Sequence, residues 1–389
     1  MINNLIGDQT KTIDLNSRAS LIAAIYIGVI GPAVFIVQPG FVQGMVEYFG
    51  FSEQQAGYVA SAEMWGIAAT TVLMTLFHSR LNWRKLLVWS TLLVSAGNLL
   101  SLSTQSPTEF AIIRGITGIG SGVLVSLAFT IVGLTANPDR NFGYLIMWVL
   151  VYGAIGFVLM PTAYALVGMN GVLVFFALFT LSALPCIRLL PVSGEEHAQV
   201  NEDAVDLSAG LKLMAVSAML VYFIAQGVMW AYLFLIGTNA GLGEQTVANG
   251  LTASQFLGIA GAFVAAMMGA RFGRLSPMTL GIVGGIASLF FLFDQFSASV
   301  YAFAVCLFNF TWNLTHPFLL AAMASFDRLG KLVTYAVAAQ MVGLALGPAL
   351  AASVLQPGDY SSVIWLGIYL FIGALLLILP PLVKQRSAV

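Results

Sequence analysis

Charge is what this sequence has least of. Only 8% of its 389 residues are Asp, Glu, Lys or Arg, where soluble globular chains carry about a quarter. A soluble fold is excluded on that ground. The net charge of −1 leaves no basic surface to neutralise phosphates, so nucleic acid is not an expected partner. Cysteine is nearly absent as well. Cys186 and Cys306 both fall in apolar segments and read as small buried hydrophobes, not as a disulfide or a metal pair. No Walker loop, no HExxH and no serine–histidine–aspartate set stands on loops long enough to build a site. Neither an enzyme nor an ATP-driven pump is expected, and no cofactor or metal.

What fills the chain is apolar: 59% of residues are hydrophobic. Runs of about twenty such residues recur along nearly its whole length, which places it in the membrane. Charges, prolines and glycines cut it into twelve apolar segments. The first six cover 20–46, 54–77, 86–104, 108–135, 142–168 and 171–190. The second six cover 209–237, 246–270, 276–293, 298–325, 332–354 and 362–383. The first run, from Leu21 to Val46, is too long for the apolar part of a signal peptide and reads as a retained span. The predicted architecture is all-α: a six-helix bundle over 1–190, a polar linker over 191–208 and a second six-helix bundle over 209–389.

Orientation follows from the lysines and arginines. Lys11, Arg18, Arg80, Arg84, Lys85, Arg140, Arg188, Lys212, Arg271, Arg274, Arg328, Lys331, Lys384 and Arg386 all fall on one side if the termini share it. The positive-inside rule then puts both termini in the cytoplasm of a multi-pass inner or plasma membrane protein. The fifteenth basic residue, Arg114, lies within the fourth span. A shift of 191 residues places Arg80 on Arg271, Arg140 on Lys331 and Gly156 on Gly347, the mark of a duplicated half. Duplicated halves are a common build of transporters.

Two loops carry a further signal. FHSRLNWRKL follows the second span, with Arg80, Arg84 and Lys85, and GARFGRLSPM follows the eighth, with Arg271, Gly273 and Arg274. Both resemble the loop signature of the major facilitator superfamily. RGITGIGSG, from Arg114 to Gly122, resembles that family's intramembrane arginine motif, and GLALGP, from Gly343 to Pro348, its glycine–proline motif. The resemblance covers the whole chain in span count and layout. It implies a transporter of two six-helix bundles, gating at those loops, and a part for Arg114 in proton transfer. The copies depart from the family at Ser79, Thr75 and Ala270, where the usual aspartate or glycine is missing, so no loop carboxylate is available as a latch. The fifth span reads GAIGFVLMP and lacks the glycine–proline pair of drug–proton antiporters.

The polar residues inside the spans carry the chemistry. Glu63 sits about ten residues into the second span, near the midplane at about 1.5 Å per residue. A carboxylate at that depth faces a cavity by default, as a proton-coupling group or as a ligand for a solute; the bland reading is an acid hydrogen-bonded between helices. Arg114 must find a carboxylate, carbonyls or water. In the tenth span Asn309, Trp312, Asn313 and His316 follow helical spacing and share a face, and Pro317 bends the helix behind them. Tyr222, Gln226 and Trp230 form a face of the seventh span, and Tyr144, Trp148 and Tyr152 one of the fifth. Gln38, Gln255 and Gln340 are weaker candidates, equally suited to interhelical hydrogen bonds. Asp294, at an outer helix end, reads as solvated.

The reading these residues favour is a secondary active transporter of a small organic solute. Glu63, Arg114 and His316 are expected to handle the proton, and Glu63, Tyr152, Gln226, Trp230, Asn309, Asn313 and His316 the solute. The expected partners are the solute, protons and the bilayer, and the expected state is a monomer. Symport-type uptake is favoured over its rivals, a proton-coupled drug or metabolite exporter, an uncoupled facilitator and a transporter-like sensor.

Overall fold

Backbone inside lipid has to satisfy its own N–H and C=O groups, which leaves helices as the building block for a chain this apolar. The structure, a computed structural model, describes residues 13–77, 81–193, 206–269, 273–327 and 331–386. Among them every regular element is helical, apart from a single bridge between Gln356 and Asp359. The first part of the chain gives α1 (Arg18–Ile30), α2 (Ala33–Ile36), α3 (Gln38–Phe49), α4 (Glu53–Phe77), α5 (Trp83–Leu100), α6 (Pro107–Gly133), α7 (Pro138–Leu181) and α8 (Leu184–Ile187). The second gives α9 (Ala209–Asn239), α10 (Glu244–Met268), α11 (Leu275–Phe290), α12 (Ala298–Ser325), α13 (Lys331–Val354) and α14 (Ser361–Arg386). Among the described residues seven helices are long and apolar enough to cross a membrane by length and composition, and α1 and α11 are shorter apolar ones.

Local chemistry sets the ends. Ahead of α4 a reciprocal capping box forms. The Ser52 N–H donates to Gln55 Oε1 at 2.9 Å and the Gln55 N–H to Ser52 Oγ at 3.2 Å. Asn82 Oδ1 caps α5 by accepting from the Lys85 N–H at 3.0 Å. Pro107 and Pro138 open α6 and α7, where a missing N–H costs nothing. Gly168, at φ 63°, divides α7 into two helical legs. The predicted single run over 20–46 is corrected to three pieces. Pro32 and Pro39 cannot donate to the carbonyls four residues earlier, and the helix breaks around them while the sequence stays apolar.

The helices group into two compact units. Unit 1 takes in Met1–Gly153 and Thr162–His197, and unit 2 takes in Ala154–Pro161 and Ala198–Val389. The duplication read from three residues extends to the helix bounds. Shifting α4 by 191 residues reproduces both ends of α10, and the same shift carries the starts of α1 and α6 onto those of α9 and α12. Matching pairs pack through small residues in both units. A Cβ on Gly118 of α6 would lie 2.1 Å from the Glu63 carbonyl oxygen of α4, and one on Gly261 of α10 would lie 2.2 Å from that of Phe310 on α12. Backbones this close tolerate nothing larger than glycine.

Candidate functional site

In unit 1 the packing of α4 on α6 brings Glu63 and Arg114 together, 51 positions apart in the chain. Arg114 Nε donates to Glu63 Oε2 at 3.1 Å, and Arg114 Nη2 donates to Glu63 Oε1. The planar guanidinium fork matches the two carboxylate oxygens, the geometry that makes such pairs the strong ones. Arg114 Nη1 donates to Asn98 Oδ1 on α5 at 2.8 Å, and Asn98 Nδ2 donates in turn to the Val94 carbonyl at 2.9 Å. The guanidinium carbon stands 5.3 Å from the centre of the Phe41 ring of α3. Arg114 is fully buried and Glu63 is 6% exposed. The buried carboxylate is thus matched by the buried arginine, and both of its oxygens are engaged. Spacing within one segment cannot reveal a partner on another helix. Asn98 went unnoticed for a related reason, since one amide in an apolar run has no periodic companion.

In unit 2 the stripe of α12 divides its partners between two neighbours. Asn309 Nδ2 donates to Ser254 Oγ of α10 at 3.3 Å, and Asn313 Nδ2 donates back to the Asn309 carbonyl at 2.9 Å and to its Oδ1 at 2.8 Å. Gly258 of α10 leaves the room for both amides; a Cβ there would lie 2.9 Å from Asn313 Nδ2 and 3.1 Å from Asn309 Oδ1. His316 Nε2 meets Gln340 Oε1 of α13 at 3.0 Å, and the Phe223 ring of α9 stands edge-on to the imidazole, 5.0 Å between centres. An amide oxygen only accepts, so the bond is made by a ring that carries a proton on Nε2.

Trp230 of α9 packs edge-on to Trp312, 5.8 Å between centres, and Trp312 in turn to Phe308 at 6.1 Å. Gln226, one turn before Trp230, is 2% exposed, and its Oε1 accepts no hydrogen bond from the described residues. The structure therefore brings Gln226, Trp230, Asn309, Asn313 and His316 into one unit, with Ser254, Phe223 and Gln340 as additions.

Other predicted positions lie apart from this group. Tyr152 belongs to unit 1, where its ring is parallel to that of Phe179 at 5.4 Å, while Tyr144 and Trp148 on the same face are exposed. Asp294 is exposed, as its position at a helix end leads one to expect. Arg80 and Arg271 of the two loop signatures lie outside the described residues. Lys85 is exposed and Arg274 half-buried. Arg84 is not a loop residue in water: it is 1% exposed and its Nε donates to the Leu190 carbonyl at 2.6 Å. The bond ties the start of α5 to the turn that follows α8.

A charged cluster that no sequence motif marks joins α9 to the turn before α13. Lys212 Nζ donates to Asp327 Oδ1 at 2.8 Å and also pairs with Asp206. Asp327 Oδ2 accepts from the Leu332 N–H at 3.2 Å, and the Leu207 N–H donates to the Phe326 carbonyl at 3.3 Å. Among the described residues no group of three or more His, Cys, Asp and Glu could hold a metal ion.

Comparison with known proteins supplies the family. No curated protein sequence matches the chain. Among solved structures, a point mutant of the nucleoside transporter NupG superposes with a TM-score of 0.72 at 10% identity, over 93% of this chain and 99% of that one. A structure described as giving insight into substrate recognition in proton-dependent oligopeptide transporters superposes with 0.74 at 15% identity, over 95% and 99%. A bacterial homologue of the human drug peptide transporters gives the same values. At such identities the likeness is one of fold. The sequence profile of the Major Facilitator Superfamily matches residues 23–327, most of the chain. By that match, and by a helical membrane fold that agrees with it, this chain belongs to the Major Facilitator Superfamily.

Proposed function

We propose that the protein is a proton-coupled secondary transporter which carries a small neutral or weakly charged organic solute by alternating access. Twelve spans, in two bundles of six with both termini in the cytoplasm, fit the basic-residue distribution. The observation that carries the reading is the Glu63–Arg114 pair: a carboxylate kept in a spanning bundle, held in both oxygens by an arginine that cannot release its charge. A proton arriving at Glu63 competes with Arg114 for the same oxygens, so protonation and rearrangement of the pair are one event. Asn98 then keeps the guanidinium in place while the carboxyl lets go.

The solute side is assigned to unit 2. Gln226, Trp230, Asn309, Asn313 and His316 offer aromatic walls and amide edges with no fixed charge, which suits a neutral molecule that carries both donors and acceptors. The solved neighbours described as nucleoside and proton-dependent oligopeptide transporters supply the first probes, uridine and dialanine. Tyr152 is kept as a candidate of unit 1, and symport remains the favoured direction.

The test is flux in vesicles of the purified full chain, with a pH dye inside and radiolabelled uridine or dialanine outside. Solute entry that carries protons in wild type, and loses the proton component in Glu63→Gln, supports the coupled reading. One specific observation favours a rival: both Glu63 oxygens are occupied, as in a purely structural pair. Equal solute entry in both proteins, without proton flux, would establish an uncoupled facilitator.

A further inference from the structure

The chain contains its first span twice, and the two versions differ. Under the shift of 191 residues α1 to α3 correspond to α9, which runs unbroken from Ala209 to Asn239. Its counterpart breaks after Ile30 and again at Val37. The counterparts of Tyr222, Gln226 and Trp230 are Gly31, Phe35 and Pro39. Interruption in unit 1 therefore falls on the positions that carry the aromatic and amide face in unit 2. Helices interrupted by glycine and proline are where transporters build binding sites, because the freed backbone and neighbouring side chains face a cavity and not lipid.

At the second break stands Gln38, the first residue of α3. It is 3% exposed, and its Oε1 has no hydrogen-bond partner among the described residues. Its counterpart in α9 is Met229, also buried. The fold thus accepts a thioether of similar volume at the equivalent place, so packing does not require an amide. A buried amide oxygen without a donor is destabilising, and each such group calls for a reason. Local rules are broken in this way at functional sites.

We propose that Gln38 is a solute-contacting residue, its amide oxygen accepting a hydrogen bond from an N–H or O–H of a neutral polar solute at the break in the first span. The proposal rests on the transporter reading above and adds to it a subsite in unit 1. Phe41, one turn further along α3, lies under the Arg114 guanidinium, whose charge Glu63 already matches. A charged solute would find no counter-ion in that pair, which points to a neutral one.

Two measurements on the full chain decide it. In a background with Cys186→Ala and Cys306→Ala, the Gln38→Cys variant in native membrane vesicles is treated with a small water-soluble methanethiosulfonate, beside a Met229→Cys control and SDS-unfolded samples of each. The expected result is labelling of the folded Gln38→Cys variant and none of folded Met229→Cys. Labelling of Gln38→Cys only after unfolding overturns the proposal.

Gln38→Met is then compared with wild type in detergent. Its Tm is expected to stay level or rise, while the KM for uridine or dialanine rises about tenfold, the loss of one hydrogen bond. A lowered Tm, or an unchanged KM for a probe that wild type carries, also overturns it. If wild type carries neither probe but the folded Gln38→Cys variant is labelled, the subsite stands and the transporter reading fails for both probes.

Discussion

Removing either member of the Glu63–Arg114 pair strands the other's charge in a dry bundle, and that asymmetry can be measured. Arg114→Met is expected to lower stability by about 3–5 kcal/mol, the usual cost of breaking a buried ion pair. The double variant Glu63→Gln with Arg114→Met should recover much of the loss, because no charge is left unmatched. Thermal unfolding of the detergent-solubilised chain checks both. A double variant as unstable as Arg114→Met alone would mean that the guanidinium, not the pairing, matters to the bundle. Both ions could be read from the sequence, since a charge in a run this apolar stands out. Their meeting could not, because it depends on how α4 packs on α6. The tenth-span stripe was half legible: helical spacing put Asn309, Asn313 and His316 on one face, but their partners Ser254 and Gln340 are a matter of tertiary packing.

Helix pairs are held at the spacing their glycines allow. Gly118→Ala pushes a methyl into the Glu63 carbonyl, and Gly261→Ala into that of Phe310; neither obstacle is a flexible side chain. Each is expected to cost about 1–3 kcal/mol, as overpacking does. Gly143→Ala, at a helical position of α7 with open space around it, should be neutral or gain up to about 1 kcal/mol from helix propensity. Unfolding midpoints of the three variants side by side test the contrast. The run from Arg114 to Gly122 stands out in the sequence by its motif, but the backbones that its glycines bring together belong to the packing of α4 on α6. The break in the first span was not legible, although Pro32 and Pro39 are plain to see. Apolar character persists through it, and hydropathy does not register a lost backbone hydrogen bond.

At the scale of the whole chain, both ends of the central linker are held by the unit they adjoin. The Trp83 N–H donates to the Val192 carbonyl at 2.8 Å, next to Arg84 on Leu190, and Leu207 on the other side is tied to Phe326 beside Lys212 and Asp327. Asp327→Ala removes the partner of Lys212 and the cap on Leu332 together. It is expected to cost about 1–3 kcal/mol, and Lys212→Met less, since Lys212 reaches water and Asp327 hardly does. Unfolding midpoints that rank the other way would refute that assignment of roles. The duplication was legible from three coincident residues, while residues 194–205 of the expected linker lie outside the described residues. Arg84 misled, because a basic residue beside a loop signature gives no sign of which way its side chain turns.

The mutual cancellation of Glu63 and Arg114 has an electrical consequence. A membrane at 100 mV acts on each unpaired elementary charge that crosses it with about 2.3 kcal/mol. While Glu63 is ionised the two buried ions cancel and present almost nothing for that field to pull on, whereas a proton on Glu63 leaves the guanidinium charge unmatched. Rearrangement of the unprotonated pair should therefore run at the same rate in polarised and depolarised vesicles, and that of the protonated form at a rate that depends on the potential. Under the proposed coupling, any current that accompanies transport would then be a direct count of the charge on the solute and the protons that travel with it.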